Sequence, residues 1–167
     1  MYEKSIHKAI VEQLNTTFEK KVWVRDFPIN INDYSPTNND GEILVQSLGY
    51  RIARYADANN KLNILSPGSF AIYESQWQLL LIIKNIISLD KLYELTGKII
   101  TSVMSITQIE DLDTIFEEEE EETTNYIDNL GRFRDTDISM PTYDEEREFQ
   151  YRQINFIIPV ILFTGEA

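Results

Sequence analysis

Carboxylates are the reactive groups in greatest supply here: 28 Asp and Glu stand against 15 Lys and Arg, for a formal net charge of −13. A pair of such groups flanking a glycosidic bond is the machinery of glycoside hydrolysis, so residue type alone leaves that chemistry open. The acids lie largely in stretches that read as loops, with no aromatic sugar platform beside them. From Glu110 to Glu122 there are nine acids and no base, including Glu117, Glu118, Glu119, Glu120, Glu121 and Glu122 in succession. A calcium loop needs spaced ligands and a sharp glycine turn, and six adjacent glutamates offer neither. Like charges repel and apolar content is low, so the run reads first as a solvated loop. Two functional readings stand beside that one: an acidic surface that keeps DNA from sticking, and a partner-docking segment.

Other chemistries are poorly supplied. Cysteine is absent, which removes disulfides, thiolate zinc sites, iron–sulfur clusters and cysteine nucleophiles together. His7 is the one histidine, too few for a histidine-rich metal centre and a poor basis for a Ser-His-Asp triad. It falls off the apolar stripe of its helix and is expected to be exposed. No GxGxxG follows a strand, Gly97-Lys98 lacks the upstream glycine of a phosphate loop, and HExxH, the nucleophile elbow and CxxC are missing. The expectation is a protein with no cofactor, no metal and no catalytic centre.

The charge is unevenly spread. Residues 1–104 hold eleven acids and eleven bases, whereas residues 105–167 hold seventeen acids and four bases. Affinity for phosphate backbones or anionic membranes comes from clustered Lys and Arg, which argues against a free nucleic-acid-binding or membrane-adhering domain. The longest apolar stretches, around Leu79–Ile83 and Ile157–Phe163, fall far short of the ~20 residues that cross a bilayer. The N-terminus has no continuous apolar segment of the secretory kind. These features fit a soluble protein assembled in the cytoplasm.

The periodicity says what must position any site. Tyr2–Asn15 reads as an amphipathic helix with Ile6, Ala9, Ile10, Gln13 and Leu14 on its stripe. Lys21–Arg25 reads as a strand, residues 30–40 as a loop, Asp40-Gly41 as a turn and Glu42–Arg54 as a strand buried partly on both faces. Tyr55–Leu65 reads as polar and irregular, and Ser66-Pro67-Gly68-Ser69 as a type II turn. Phe70–Asn85 is then a strand antiparallel to its predecessor. Ser88–Met104 returns to helical period with Leu92, Leu95, Ile99 and Val103 as its stripe; close packing on the sheet would explain Gly97 inside it. Gly131–Ser139 is a further strand, Pro141–Glu148 turns, and Phe149–Phe163 is the last strand, with an edge or bulge expected at Pro159. Among the strand aromatics, Trp23, Phe70, Tyr73, Trp77, Phe149, Tyr151 and Phe156 are expected mostly in core or cross-strand packing. The fold class that follows is α+β: a mostly antiparallel sheet of about four to six strands with two helices on one face.

The order of these segments carries a resemblance. A short amphipathic helix, a strand ending in VRDFP, a polar loop and then GEILVQSLGYR are followed by the strand WQLLLIIKN, the helix LDKLYELTGKIITSV and the late strand QINFIIPVIL. This pattern, over most of residues 2–163, resembles the tail-terminator or minor tail protein family of Mu-like contractile-tailed phages. The chain adds to it the acidic insert at Glu110–Glu122 and the extended segment Asn125–Glu148. The resemblance implies one tail-terminator-like domain over residues 1–167, with residues 105–148 as an acidic insertion and extended loop region. It implies a non-enzymatic α/β sandwich like the lambda tail terminator, assembled as a hexameric ring. That ring caps the tail tube, stops its polymerisation and joins it to the neck or connector, next to sheath proteins, with DNA only passing through the hole. The location implied is the virion. The glutamates 117–122 become candidates for a lumen-facing or partner-facing loop, and Arg51, Arg54, Tyr55 and Pro67 for contacts with a neighbouring subunit or the tube.

Other readings remain beside it: a head-completion or neck protein, a tube cap of a contractile injection system, an acidic DNA mimic, and a carboxylate enzyme.

Overall fold

Three isoleucine and leucine residues, four apart, decide where the first helix goes. In a computed structural model, which describes residues 2–28, 30–56, 70–84, 89–106, 109, 115–117, 124–129 and 133–164, α1 spans Tyr2–Thr17. Its Ile6, Ile10 and Leu14 are fully buried, each worth roughly 1.5–3 kcal/mol of transfer free energy. The second helix, α2, spans Leu89–Met104 and buries Leu92, Leu95, Ile99 and Val103, the whole expected stripe. Where the helices meet, Thr17 and Ser102 share a 2.6 Å hydrogen bond and Gln13 Nε2 donates to Ser105 Oγ at 3.0 Å. Ser88, where the helical period begins in the sequence, lies outside the described residues.

Both helices pack on one face of a mostly antiparallel sheet, so the protein is α+β. The strands are β1 (Trp23–Asp26), β2 (Glu42–Ala56), β3 (Phe70–Lys84), β4 (Ile115–Glu117), β5 (Thr124–Asn129), β6 (Arg134–Ile138), β7 (Thr142–Asp144) and β8 (Phe149–Thr164). Six of them follow one hydrogen-bonded path, β1-β2-β3-β8-β5-β4, while β6 and β7 pair with β8 beside that path. Among the described residues only β1 against β2 is parallel. The helix-side core joins α1 and α2 to Ile43, Val45, Trp77, Leu79, Leu81, Ile83, Ile154, Phe156 and Ile158. On the opposite face a smaller cluster of Leu44, Leu80, Ile82 and Phe149 is covered by Phe27, Ile31, Tyr34 and Tyr151. The continuous apolar run Leu79–Ile83 is therefore buried on both faces, as its composition requires.

Helices and strands differ in reach. Sixteen helical residues span about 24 Å, whereas β2, β3 and β8, of 15, 15 and 16 residues, span about 50 Å. The strands pair along their whole length: Arg51 faces Glu74, Arg54 faces Ile72 and Ala56 faces Phe70, and β8 runs alongside to Thr164.

Several boundaries differ from the sequence reading. Tyr55 and Ala56 belong to β2, paired with Ala71 and Phe70, because the hairpin partner continues. Ile115–Glu117 forms β4 inside the acidic run that reads as loop; its apolar pair Ile115-Phe116 lies against Tyr126 and Asn125 of β5. Thr142–Asp144 is a strand before the turn, and Asp144 Oδ1 accepts from the backbone N–H of Glu146 and Arg147, both at 3.1 Å, to close that turn. At Pro159 β8 shows the expected edge rather than a bulge: the register with β3 runs through the Glu74–Pro159 pair without a shift. On the other flank of β8, β6 pairs up to Ile157 and β5 begins at Val160. The missing donor falls in that gap. The Ser66–Ser69 turn lies outside the described residues.

Gly97 also departs from expectation. A Cβ there would meet nothing within 4 Å, so it faces open space on α2 and no close packing on the sheet requires it. Gly97→Ala should raise the melting temperature by roughly 2–4 °C, the equivalent of about 1 kcal/mol of helix propensity. An unchanged or lower melting temperature in calorimetry would show that the exposed face of α2 has a constraint of its own.

Candidate functional site

The one fully buried carboxylate of the described residues opens β2. Asn38, Asp40 and Gly41 turn the chain: Asn38 Oδ1 accepts from Asp40 N–H at 2.9 Å, and Gly41, at φ +111°, donates its N–H to Asn38 O at 3.3 Å. That turn delivers Glu42 into a parallel pairing with Trp23, its side chain only 1% exposed. Tyr34 Oη donates to Glu42 Oε1 at 2.7 Å and Thr37 N–H donates to Oε2 at 3.0 Å. Arg25 Nε lies 3.8 Å from Oε1, and its guanidinium stacks 4.5 Å over the Trp23 ring. Burial first, and then the bond to Glu42, pushes the Tyr34 phenol far above its ordinary pKa, so the donor keeps its proton at neutral pH. Arg147 Nη1 donates to Ile31 O at 3.0 Å from the other side. Tyr34 and Thr37 tether the 30–40 segment to the sheet through Glu42, which is a structural task, and Arg25 reaches the same carboxylate from β1.

His7 is not simply exposed. Its Nε2 lies 2.7 Å from Asp26 Oδ1 and its side chain is two-thirds covered, with its ring 6.1 Å from that of Trp77. The pair stands at a cleft of about 480 Å³ that Glu3, Lys4, Phe27 and Ser47 also line. Asp26 ends β1, so the contact ties α1 to that strand. Ser47 Oγ in turn accepts from Gly49 N–H at 3.1 Å, at the bulge where Leu48 stands out of register. Among the described residues no three His, Cys, Asp or Glu side chains converge as a metal site.

The face away from the helices carries a row of amides. Gln46, Gln78, Asn155 and Asp137 stand opposite one another on β2, β3, β8 and β6. Gln46 Nε2 donates to Gln78 Oε1, and Asn155 Oδ1 is buried with no hydrogen-bond partner among the described residues. Further along that face, Arg134 of β6 reaches diagonally to Glu74 of β3 at 3.7 Å.

The residues expected to make contacts are brought together in part. Arg51, Arg54 and Tyr55 follow one another along the far half of β2. Glu117 ends β4, opposite Thr124. One row crosses five strands of the far ribbon, from Ala56 through Phe70, Phe163 and Tyr126 to Ile115, so β2 and β4 stand on opposite sides of it. Pro67 and the glutamates 118–122 lie outside the described residues. Of the aromatics, Trp77, Phe149 and Phe156 are core, while Trp23 is 39% exposed beneath Arg25. Sequence reasoning missed the Glu42 cluster and the His7–Asp26 pair, although the position of Glu42 just after an Asp-Gly turn, at the head of an apolar run, was a usable signal.

No protein-family model matches the sequence, and no curated protein matches it.

Tyr34→Phe should destabilise the protein by roughly 1.5–3 kcal/mol, because it leaves a buried carboxylate short of a charge-assisted hydrogen bond. Denaturant unfolding measures it; a cost below about 0.5 kcal/mol, the level of an ordinary surface change, would show that water or another donor replaces the phenol.

Proposed function

We propose that the chain is a structural subunit of a phage-like tail: a tail terminator that joins copies of itself into a hexameric ring, caps the tail tube, stops its polymerisation and links it to the neck or connector. The observation that carries this reading is the ribbon of three long paired strands, β2, β3 and β8, with β5 and β4 added to one side. A ring subunit needs two different surfaces that fit each other head to tail, and a sheet with two distinct sides supplies them.

The distribution of charge supports the same reading. The entire net charge of −13 belongs to residues 105–167, and the glutamate run begins at the end of β4. Acidic segments bordering a channel would repel DNA phosphates and let the duplex pass without sticking. In this reading the partners are further copies of the chain, the tail tube protein, and neck or sheath proteins, with DNA only in transit. The protein acts through its surfaces, binds no cofactor, catalyses no reaction, and resides in the virion.

Light scattering of the purified chain, alone and with tube protein, tests the proposal. The expected result is a particle of six subunits, formed alone or on contact with the tube. A twelve-fold ring would move the protein to the neck. A chain that stays monomeric at high concentration and ignores the tube would overturn the reading.

A further inference from the structure

α2 carries two apolar stripes, and the core uses one. Its buried positions, from Leu92 to Val103, cover roughly 120° of the helix surface at 3.6 residues per turn, which is enough for a core-facing helix. Beside them Leu89, Tyr93, Gly97, Ile100 and Met104 fall together within roughly 80°. Leu89, Tyr93 and Met104 are exposed, Ile100 is half-buried, and a Cβ on Gly97 would meet nothing within 4 Å. α1 meets α2 on another side, through Ser102 and Ser105. On the side of the second stripe, the Arg152 guanidinium of β8 lies 5.8 Å over the Tyr93 ring. A continuous apolar stripe outside the core marks an interaction surface.

We propose that the free chain is a dimer in which the α2 helices of two copies cross antiparallel at Gly97, stripe against stripe. The inference goes beyond the ring reading, because it concerns the chain before it meets a tail tube.

The stripe itself selects a second copy as occupant. It reads the same from both ends: large, large, glycine, large, large. A two-fold contact requires that symmetry, since residue i of one copy meets j of the other and j meets i. With the axis beside Gly97, Leu89 stands level with Met104 of the other copy, and Tyr93 with Ile100. The glycine at the midpoint lets the two backbones approach closely. It thereby gains a purpose that the single chain does not supply, in return for about 1 kcal/mol of helix propensity.

Charge selects the direction. The four charged residues of α2 are Asp90, Lys91, Glu94 and Lys98. Glu94 and Lys98 already pair along the helix at 3.2 Å. An antiparallel crossing sets Glu94 of one copy level with Lys98 of the other, twice over, and sets Asp90 and Lys91 level with the uncharged Val103 and Ser102. Parallel helices would set each charge against its own copy, which is unfavourable, and would align the helix dipoles.

The chain contains no cysteine, so introduced ones report cleanly. Leu89→Cys and Met104→Cys are exposed sites at the two ends of the stripe. The full-length variants are mixed, treated with a short bismaleimide and run on a denaturing gel. The expected outcome is a covalent dimer in the mixture and none from either variant alone. Self-linking of Leu89→Cys would mean parallel helices and overturn the proposal.

Light scattering of the wild-type chain alone should give twice the 19.5 kDa of one chain, falling towards one chain on dilution. Gly97→Gln fills the crossing with a long polar side chain and should abolish the dimer, with circular dichroism unchanged. A Gly97→Gln chain that still dimerises would reject the crossing. The melting gain of Gly97→Ala then depends on concentration: in dilute protein helix propensity acts alone, whereas in the dimer the added methyl stands in the crossing and the gain shrinks. A chain that is single when alone, or forms particles of six in which the two cysteines never link, rejects this pairing; rings on tube protein would still leave the ring reading standing. A cross-linked dimer that ignores the tube would support the pairing and reject the ring.

Discussion

A residue in a strand advances more than twice as far as a residue in a helix, and this inequality governs the molecule. Two helices of sixteen residues each lie on a sheet whose three central strands are about as long in residues. Such helices can screen about half of those strands. In that half the packing is dense: Ile6, Ile10 and Leu14 from one helix and Leu92, Ile99 and Val103 from the other meet Trp77, Leu79, Leu81 and Phe156 with essentially no exposure. Over the rest of their length the strands continue as paired backbone, from Arg51 opposite Glu74 to Ala56 opposite Phe70 and on to Phe163 of β8.

The near half has its own logic on the second face. There the cover is a polar segment rather than a helix, and a polar segment stays in place only if it is fastened. Glu42 does this through Tyr34 and Thr37, with Arg25 of β1 beside the same carboxylate, while Arg147 holds the segment through the carbonyl of Ile31. A buried carboxylate is costly unless it is fully engaged, and here both oxygens are. The result is a small second cluster around Leu44, Leu80, Ile82 and Phe149, sealed by charge-assisted bonds at its rim.

Legibility in the sequence followed the length of each pattern. α1, α2, β2, β3 and β8 are long enough for their periods to show, and the stripe of α2 was recovered residue by residue. β4 is three residues long, with apolar character only at Ile115-Phe116 inside a run of acids, so its pairing with β5 is a tertiary fact with almost no local trace. Gly97 and Pro159 each invited a local explanation. For Gly97 none exists in the neighbourhood, and for Pro159 the explanation lies in two other strands that meet at that point. Glu42 looked like one acid among 28; its burial depends on Tyr34, eight residues earlier, and on Arg25 in a different strand. The arginines of β2 were legible as residues, but their sharing of a ribbon side opposite β4 required the strand order. His7 was misjudged because helical phase says which side faces the sheet and nothing about a carboxylate arriving from β1.

The seam at Pro159 bears on mechanics. β6 stops at Ile157 and β5 starts at Val160, and among the described residues these two short strands share no ladder. Tension applied along the ribbon therefore travels through the unbroken β2–β3–β8 bonding, which lies in shear when pulled lengthwise, while β5 and β6 load β8 separately on either side of Pro159.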